Sequence, residues 1–284
     1  MPGIGDGSAA SYGDHRLIRK VSNATSEKNY LRSYLRVSPA ALAVWRAIEA
    51  KWLATVEMPH PLMDLGCGFG EFTGVFFEEP VDVGIDIRIN DLRKASQRGV
   101  YGSVVRADAR CMPFAEESFA SVMSLSTLEH IPRTEEAVAE AFRVLRKGGA
   151  FVFTAPTDKL SEMFFFTRAL KRVGLAPLGR AYAHLLNKAV YHHSLLSEDQ
   201  WLGLLERVGF VVERHELIIG RRALRAFDLT LPFAVPAQAS RLLFGGRGGR
   251  RPDFIVNFWE RRLASFVDDD TGEGSNIFVV ARKR

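Results

Sequence analysis

The sequence has little cysteine and lacks the long apolar run of a membrane-spanning helix. Its 284 residues include two cysteines, Cys67 and Cys111, and neither lies in the paired spacing of a metal site. No stretch reaches the ~18 uncharged apolar residues that span a bilayer, and no signal peptide is readable after Met1. We therefore expect a folded cytoplasmic protein of enzyme size, without a disulfide or structural zinc.

Basic residues are unevenly distributed along the chain. The net charge is +5, but residues 157–195 hold six Lys/Arg against two Asp/Glu, and residues 214–262 hold ten against four. These two segments together carry +10, so the rest of the chain is acidic. The basicity therefore belongs to two regions, in which basic side chains alternate with aromatic and aliphatic ones.

Short apolar runs alternate with helical spacing in most of the chain, a pattern typical of a parallel sheet built from βαβ units. The runs predict strands at residues 62–65, 81–86, 103–107, 121–125, 150–155, 211–219 and 276–281. The helical spacing predicts helices at residues 71–78, 90–98, 134–145 and 197–208. Before them, apolar residues between 31 and 53 predict one helix that starts at Ser38-Pro39, and Lys147-Gly148-Gly149 should close the helix at 134–145.

A glycine-rich loop follows the first predicted strand, with the sequence Asp64-Leu65-Gly66-Cys67-Gly68-Phe69-Gly70. Glycines let the backbone turn sharply and approach a ligand closely, while the next helix presents free amide groups. Glu71 stands where a dinucleotide-binding loop would have its third glycine. Asp64 would repel a pyrophosphate and attract an ammonium group, so the loop favours a ligand with a positive charge.

This loop resembles motif I of the class I S-adenosylmethionine-dependent methyltransferases. Further motifs of that family are resembled, in the expected order, by residues 84–87, 107–109, 123–131 and 143–149. The resemblance is close over residues 60–156 and looser over 197–219. It implies an α/β, Rossmann-like fold with a seven-stranded, mostly parallel sheet and helices on both faces. It also implies S-adenosyl-L-methionine as cofactor and S-adenosyl-L-homocysteine as product.

The resemblance also implies which residues bind the cofactor. Asp64 would face the methionine ammonium group, Asp86 would accept from both ribose hydroxyls, Ile87 would pack on adenine, and Asp108 would accept from the adenine amine. The full implied set is Asp64, Gly66, Cys67, Gly68, Gly70, Asp86, Ile87, Asp108, Ala109 and Ser126. Structural roles stay open for two of them, because Asp64 could cap its loop and Asp108 could cap the turn into Cys111.

The remaining segments surround this core of residues 59–156. We expect a flexible N-terminus at 1–15, a helical cap at 16–58, and a continuation of the core at 196–219 and 271–284. Residues 157–195 and 220–270 are predicted insertions. Both leave the sheet at its carboxyl edge, so they should meet above the cofactor as a helical lid.

Methyl transfer from a sulfonium is an in-line displacement that mainly requires alignment in a dry site, so we expect no metal. A hydroxyl acceptor would benefit from a general base, and histidine is the side chain best matched to neutral pH. The candidates are His130, His192 and His193. Each could instead be an ordinary loop residue, and a carbon or amine acceptor could need no base.

The acceptor class is constrained mainly by missing motifs. The stretch after the fourth strand, Leu125-Ser126-Thr127-Leu128, lacks the Pro-Pro motif of enzymes that methylate base amines, and no Pro-Cys nucleophile is present. A small-molecule, lipid or sugar-lipid acceptor with an oxygen or nitrogen nucleophile is therefore the leading hypothesis. The basic insertions also suggest contact with an anionic membrane.

Two alternatives stay open. One is an RNA methyltransferase, favoured by the basic run at residues 245–251. The other is a non-catalytic scaffold that only binds S-adenosylmethionine. A nicotinamide-dependent oxidoreductase is disfavoured, because its glycine spacing and a Tyr-x-x-x-Lys proton donor are both missing. The sequence does not indicate an oligomeric state.

Overall fold

The structure is a computed structural model that describes residues 28–193, 195–234, 251–268 and 273–284. A seven-stranded sheet forms its centre, with the strand order β3-β2-β1-β4-β5-β7-β6. The strands are β1 (Leu62–Leu65), β2 (Val81–Asp86), β3 (Tyr101–Arg106), β4 (Phe119–Leu125), β5 (Leu145–Pro156), β6 (Phe210–Ile218) and β7 (Asn276–Lys283). Only the two pairings of β7 are antiparallel. The predicted mostly parallel α/β sheet is confirmed.

Both faces of the sheet are covered, which explains why the central strands consist mostly of buried apolar residues. All four residues of β1 are buried. On one face, β1 and β5 contribute Met63 and Phe153 to a cluster with Trp201. On the other face, Leu62 and Val152 join a second cluster. The helices of the core are α3 (Glu71–Phe76), α4 (Ile89–Arg98), α5 (Thr134–Val144) and α9 (Glu198–Val208).

The start of α9 follows the sequence pattern. The Ser197 hydroxyl accepts from the Gln200 amide at 3.3 Å, and the Gln200 side chain accepts from the Ser197 amide at 2.8 Å. Two of the free amide groups at the start of the helix are satisfied in this way. The predicted helix, 197–208, differs from the observed one only at Ser197, which is the capping residue before the helix.

The helix predicted to start at Ser38-Pro39 is present as α2 (Ala40–Leu53), with Pro39 as the residue before it. The apolar residues further upstream form a separate helix, α1 (Tyr30–Leu35). A residue before proline is disfavoured in helical geometry, so the chain breaks at Ser38. Ser38 does not cap α2, because its hydroxyl donates to Glu71 on α3.

The predicted end of α5 is also wrong. The helix ends at Val144, and Lys147, Gly148 and Gly149 lie inside β5. The pairing of β4 with β5 shifts register in this region, and Gly148 has a left-handed φ of 73°. The glycines therefore accommodate an irregularity in the strand and do not stop the helix.

The described residues of the two predicted insertions form helices. The first contains α6 (Leu160–Met163), α7 (Phe165–Arg172) and α8 (Ala176–Ala189). The second contains α10 (Arg221–Thr230), a 3-10 turn (Leu231–Ala234) and α11 (Asp253–Val267). None of the helices within the described ranges is long and apolar enough to cross a membrane.

The insertions contact each other through a buried acid. Asp228 of α10 accepts from the Tyr182 hydroxyl at 2.9 Å and from the Phe166 amide at 3.2 Å. The rings of Phe164 and Phe227 also stack, with centroids 6.3 Å apart. Residues 1–15 and the basic run from 245 to 250 lie outside the described residues.

Candidate functional site

The glycine loop connects β1 to α3 and is bonded to the neighbouring strand β2. The amides of Gly66 and Cys67 both donate to the Ile85 carbonyl, each at 2.9 Å. Gly66 has a φ of 82°, and a side chain at this position would overlap Thr127 after β4. The loop can therefore lie this close to the end of β4 only with glycine at position 66.

Asp86 ends β2 and holds the loop by its carboxylate. One oxygen accepts from the Gly68 amide at 2.9 Å, and the other accepts from the Arg88 amide at 2.8 Å. Ile87 follows it, and 58% of its surface is exposed. The geometry fits an acid for ribose hydroxyls beside a platform for adenine, and both roles stay predictions.

Asp64 is the buried acid at the end of β1. Its Oδ2 accepts from the Tyr101 hydroxyl at 2.6 Å and from the Thr73 hydroxyl at 2.7 Å. Burial raises the pKa of Asp64 to about 6 against the opposing effect of these two hydrogen bonds. The structural role that the sequence left open is present, because the bond to Thr73 connects the strand to α3. Sequence reasoning missed Tyr101, which comes from β3.

Asp108 is already paired within its own turn. Its two oxygens accept from the Arg110 guanidinium at 2.6 and 3.0 Å, and its carbonyl accepts from the Cys111 amide at 3.0 Å. The Arg110 side chain is the main reason that the pKa of Asp108 falls to about 2. The turn-capping alternative therefore describes this carboxylate, and an adenine amine would have to compete with Arg110. Ala109, inside the turn, is half-buried.

Cys67 is a half-buried free thiol inside the glycine loop. Burial raises its pKa far above the ordinary value, and the nearby acids Asp64 and Asp86 act in the same direction. The thiol is therefore protonated at neutral pH and poorly suited to act as a nucleophile. Cys67 is therefore a small side chain of the loop and not a reactive group.

Ser126 lies just after β4 with a left-handed φ of 47°. Its hydroxyl donates to Glu49 of α2 at 2.6 Å and accepts from the Trp45 indole at 3.3 Å. Glu49 is fully buried and also accepts from Thr154 at 2.6 Å and Arg46 at 2.7 Å. Sequence reasoning missed Glu49, although a charged residue inside the apolar spacing of a helix was a signal. The hydroxyl of Ser126 thus already has protein partners.

Two of the three candidate bases lie together. The rings of His130 and His192 stack with centroids 5.3 Å apart, and His130 Nε2 is 3.7 Å from Oε1 of Glu129. His193 has an exposed side chain, and its backbone amide donates to the Glu129 carbonyl at 2.8 Å. The chain before α9 is thus bonded to the turn after β4. Sequence reasoning did not assign a role to Glu129.

Burial controls the charge of this cluster. It lowers the pKa of His192 to about 4 and also lowers that of His130, so both imidazoles are neutral at pH 7. It raises the pKa of Glu129 to about 8. A neutral imidazole has one nitrogen with a free lone pair, so either ring can accept a proton.

Comparison with known proteins identifies the domain. Residues 63–153 match a family described as "Methyltransferase domain". An uncharacterized methyltransferase of Mycobacterium marinum is 35% identical over 33% of this chain and 38% of that protein. A 24-methylenesterol C-methyltransferase 2 of Oryza sativa is 26% identical over 62% of this chain and 45% of that protein. The chain therefore spans less than half the length of these two relatives.

Solved structures agree on the fold. A geranyl diphosphate C-methyltransferase of Streptomyces coelicolor superposes with a TM-score of 0.53 at 15% identity, over 96% of this chain and 90% of that one. The [4+2]-cyclase SpnF superposes equally well, with a TM-score of 0.53 at 17% identity, over 88% and 84%. Residues 63–153 thus match a methyltransferase domain, and the chain has the same fold as these solved structures.

Proposed function

We propose that this protein transfers the methyl group of S-adenosyl-L-methionine to a small-molecule or lipid-like acceptor and releases S-adenosyl-L-homocysteine. The observation that supports this most strongly is the bond between the glycine loop and Asp86, because it joins two expected parts of a cofactor site. The Gly68 amide donates to Asp86 at 2.9 Å, inside the segment that matches the methyltransferase domain. The reaction is an in-line displacement at the methyl carbon.

Each proposed cofactor contact has a physical reason. The carboxylate of Asp64 attracts the methionine ammonium group, and the glycine backbone from 66 to 70 leaves room for the ligand to approach. Asp86 accepts from the ribose hydroxyls, and the exposed side chain of Ile87 packs on adenine. Cys67, Ala109 and Ser126 complete the proposed surroundings of the cofactor.

The proposed acceptor is hydrophobic. Trp45 of α2 contacts Phe227 of the second insertion with ring centroids 5.6 Å apart, and Phe227 in turn stacks on Phe164 of the first. These aromatic rings come from three segments that lie around the carboxyl edge of the sheet. The rice relative is named for a sterol, and another relative, UbiE of Saccharophagus degradans, is named for ubiquinone and menaquinone biosynthesis. Such molecules illustrate the chemistry that an aromatic lining would favour.

We favour an oxygen or nitrogen nucleophile on the acceptor. A hydroxyl must lose its proton as it attacks the methyl carbon, and the neutral imidazoles of His130 and His192 could accept that proton. His193 is a third candidate from the same segment. The named relatives are C-methyltransferases, so the nucleophile has to be determined by experiment.

We also propose that the first insertion contacts an anionic membrane surface. The α8 helix exposes apolar side chains, with 65% of Leu185 and 55% of Leu178 accessible. Arg168, Lys171 and Arg172 lie on α7, the helix before it. Exposed apolar residues next to basic ones fit the boundary of a membrane that carries negative charge. This combination favours a lipid surface over RNA.

The test is to incubate the protein with an extract and isotopically labelled S-adenosylmethionine, and to analyse aqueous and lipid fractions by mass spectrometry. We expect the label in one class of small hydrophobic molecule, and its mass spectrum will identify the methylated atom. An Asp86→Ala variant is the control for background transfer. Cofactor binding in calorimetry without any labelled product would favour the scaffold, and labelled RNA would contradict the acceptor class.

A further inference from the structure

The side chains of Glu129, His130 and His192 converge near the carboxyl end of β4 as a candidate ligand site. One ligand-type atom from each of Glu129, His130 and His192 lies within 4.8 Å of the others. Only 2% of Glu129 is exposed, and its Oε2 accepts no hydrogen bond from any residue that the structure describes. A buried carboxylate oxygen without a donor is costly, so this atom is expected to face a ligand.

Hydrogen bonds fix which nitrogen of each imidazole carries the proton. The Nδ1 of His130 is 3.2 Å from the Tyr191 carbonyl oxygen, which can only accept, so the proton is on Nδ1. The Nδ1 of His192 is 3.0 Å from Oδ1 of Asn187, and the Asn187 amide nitrogen donates to Ser161 at 2.8 Å. The Nε2 atoms of both rings are therefore left with free lone pairs.

Hydrogen bonds from the Nδ1–H group of this kind usually accompany histidines that bind a metal through Nε2. A ligating imidazole commonly donates its second N–H group to a backbone carbonyl or a side-chain oxygen, which orients the ring. Tyr191 adopts a left-handed φ of 58° where its carbonyl meets His130. Such a conformation costs free energy in a residue other than glycine and tends to occur at functional sites.

We propose that Glu129, His130 and His192 bind a divalent transition metal ion of the zinc type. Two imidazoles and one carboxylate are a donor set of zinc sites that keep an open coordination position. Magnesium and calcium prefer oxygen ligands only, so they fit less well. The atoms that would bind the ion are Nε2 of both imidazoles and a carboxylate oxygen of Glu129. The sequence analysis expected no metal, because methyl transfer from a sulfonium does not itself require one.

The open position has a function if the protein is a methyltransferase, so this step rests on the proposed function. A metal ion there would bind a hydroxyl of the acceptor and lower the pKa of that hydroxyl, so that its proton would pass to water and the oxyanion would attack the methyl carbon. In that case His130 and His192 act as ligands and not as bases. The site borders Ser126 and Thr127, which lie beside the glycine loop.

Metal binding is tested without the reaction. The protein is treated with EDTA, desalted, and titrated with Co²⁺ by absorption spectroscopy and with Zn²⁺ by calorimetry. We expect about one equivalent of either ion, with the d–d bands of a low-coordinate Co²⁺ site. His130→Ala, His192→Ala and Glu129→Gln should abolish these bands, whereas His184→Ala, an exposed histidine of α8, should leave them unchanged.

A second variant tests the orientation of the ring. Asn187→Ala removes the acceptor of the His192 Nδ1–H group and should weaken Zn²⁺ binding by roughly 10–100-fold, the effect typical of losing an outer partner. Thermal unfolding identifies variants that do not fold. Absence of saturable Co²⁺ and Zn²⁺ binding, or binding that survives in the folded His130 and His192 variants, overturns the proposal.

Calorimetry with S-adenosylmethionine on the same samples separates the two proposals. If the metal-free protein binds the cofactor and no metal binds, only the metal site fails. If Zn²⁺ binds at these residues and S-adenosylmethionine does not bind, only the proposed function fails. Equal affinity for Mg²⁺ and Zn²⁺ would contradict the donor set that we assign.

Discussion

The two halves of the carboxyl edge of the sheet are built differently. At the ends of β1 and β2, the partners are close in sequence: Gly68 bonds to Asp86, 18 residues away. At the ends of β4 and β5, Ser126 and Thr154 both bond to Glu49, 77 and 105 residues away. The half at β1 and β2, the proposed cofactor half, is therefore formed by motifs that are close in sequence. The half at β4 and β5, the proposed acceptor half, is formed by contacts between distant segments.

This difference explains how one fold can serve several reactions. A [4+2]-cyclase and a C-methyltransferase have structures similar to this chain at similar TM-scores. A shared sheet and loop can keep a cofactor site, while the chain segments packed over β4 and β5 determine what else is bound. The acceptor half is therefore where variants should change the reaction while leaving cofactor binding intact.

The largest effect is expected in the cofactor half, from Asp86→Ala. Loss of two charge-assisted hydrogen bonds, each contributing about 1.5–3 kcal/mol, should weaken S-adenosylmethionine binding by more than about 100-fold in calorimetry. Glu206→Ala removes an exposed acid from α9 and should leave the affinity unchanged.

Asp86 also accepts two backbone amides, so the variant has to be checked for folding. Asp86→Asn keeps the shape of the side chain and one carbonyl oxygen, and thermal unfolding shows whether the loop survives. Unchanged affinity in a folded Asp86 variant, or tight binding of a nicotinamide nucleotide, would contradict the predicted cofactor site.

A smaller effect is expected in the other half, at the basic surface of α7 that we propose to contact a membrane. Replacing Arg168, Lys171 and Arg172 by Gln removes three charges at about 1 kcal/mol each, so binding to anionic liposomes should weaken by roughly 100-fold at low salt. Sedimentation measures this binding. The matched control replaces Lys147, Arg207 and Arg284, exposed basic residues near the opposite edge of the sheet.

Salt provides a second control on that result. Binding that depends on exposed charges should decrease as ionic strength rises, because the screening length shortens. Equal loss of binding in both triple variants would indicate a general charge effect. Absence of liposome binding by the unmodified protein together with tight RNA binding would favour the RNA alternative.

The sequence predicts strands β1 and β2 and the position of the glycine loop well, because local patterns determine them. The boundaries of β1 and β2 agree with the predicted ones, and Asp64 and Asp86 lie at the ends of those strands. A strand that is buried on both faces appears in the sequence as a short apolar run, and glycine and acidic residues lie at its end. These signals lie within one stretch of chain.

The other half could not be predicted in the same way. Glu49 and Glu129 act through partners that come close only in the folded chain, and no sequence spacing links Glu129 to His192. In the half at β1 and β2 the same is true of Tyr101, which donates to Asp64 from 37 residues away. The sequence also did not reveal that the Arg110 guanidinium donates to the Asp108 carboxylate, because that pairing depends on the shape of a turn. Buried polar groups of this kind can be recognised only from the folded structure, in which the hydrogen-bond partner of each group is known.

The smallest effect is a pH dependence of cofactor binding. Asp64 has a pKa of about 6 because it is buried, so it is charged at pH 7 and becomes neutral below pH 6. Only the charged form attracts the ammonium group, so affinity should fall about tenfold from pH 7 to pH 5 through the uptake of one proton. Asp64→Asn can still accept from Tyr101 and Thr73 and should bind weakly with no change between these pH values. Calorimetry at pH 5, 6 and 7 measures both proteins, and an equal slope in the two would show that another group, not Asp64, meets the ammonium.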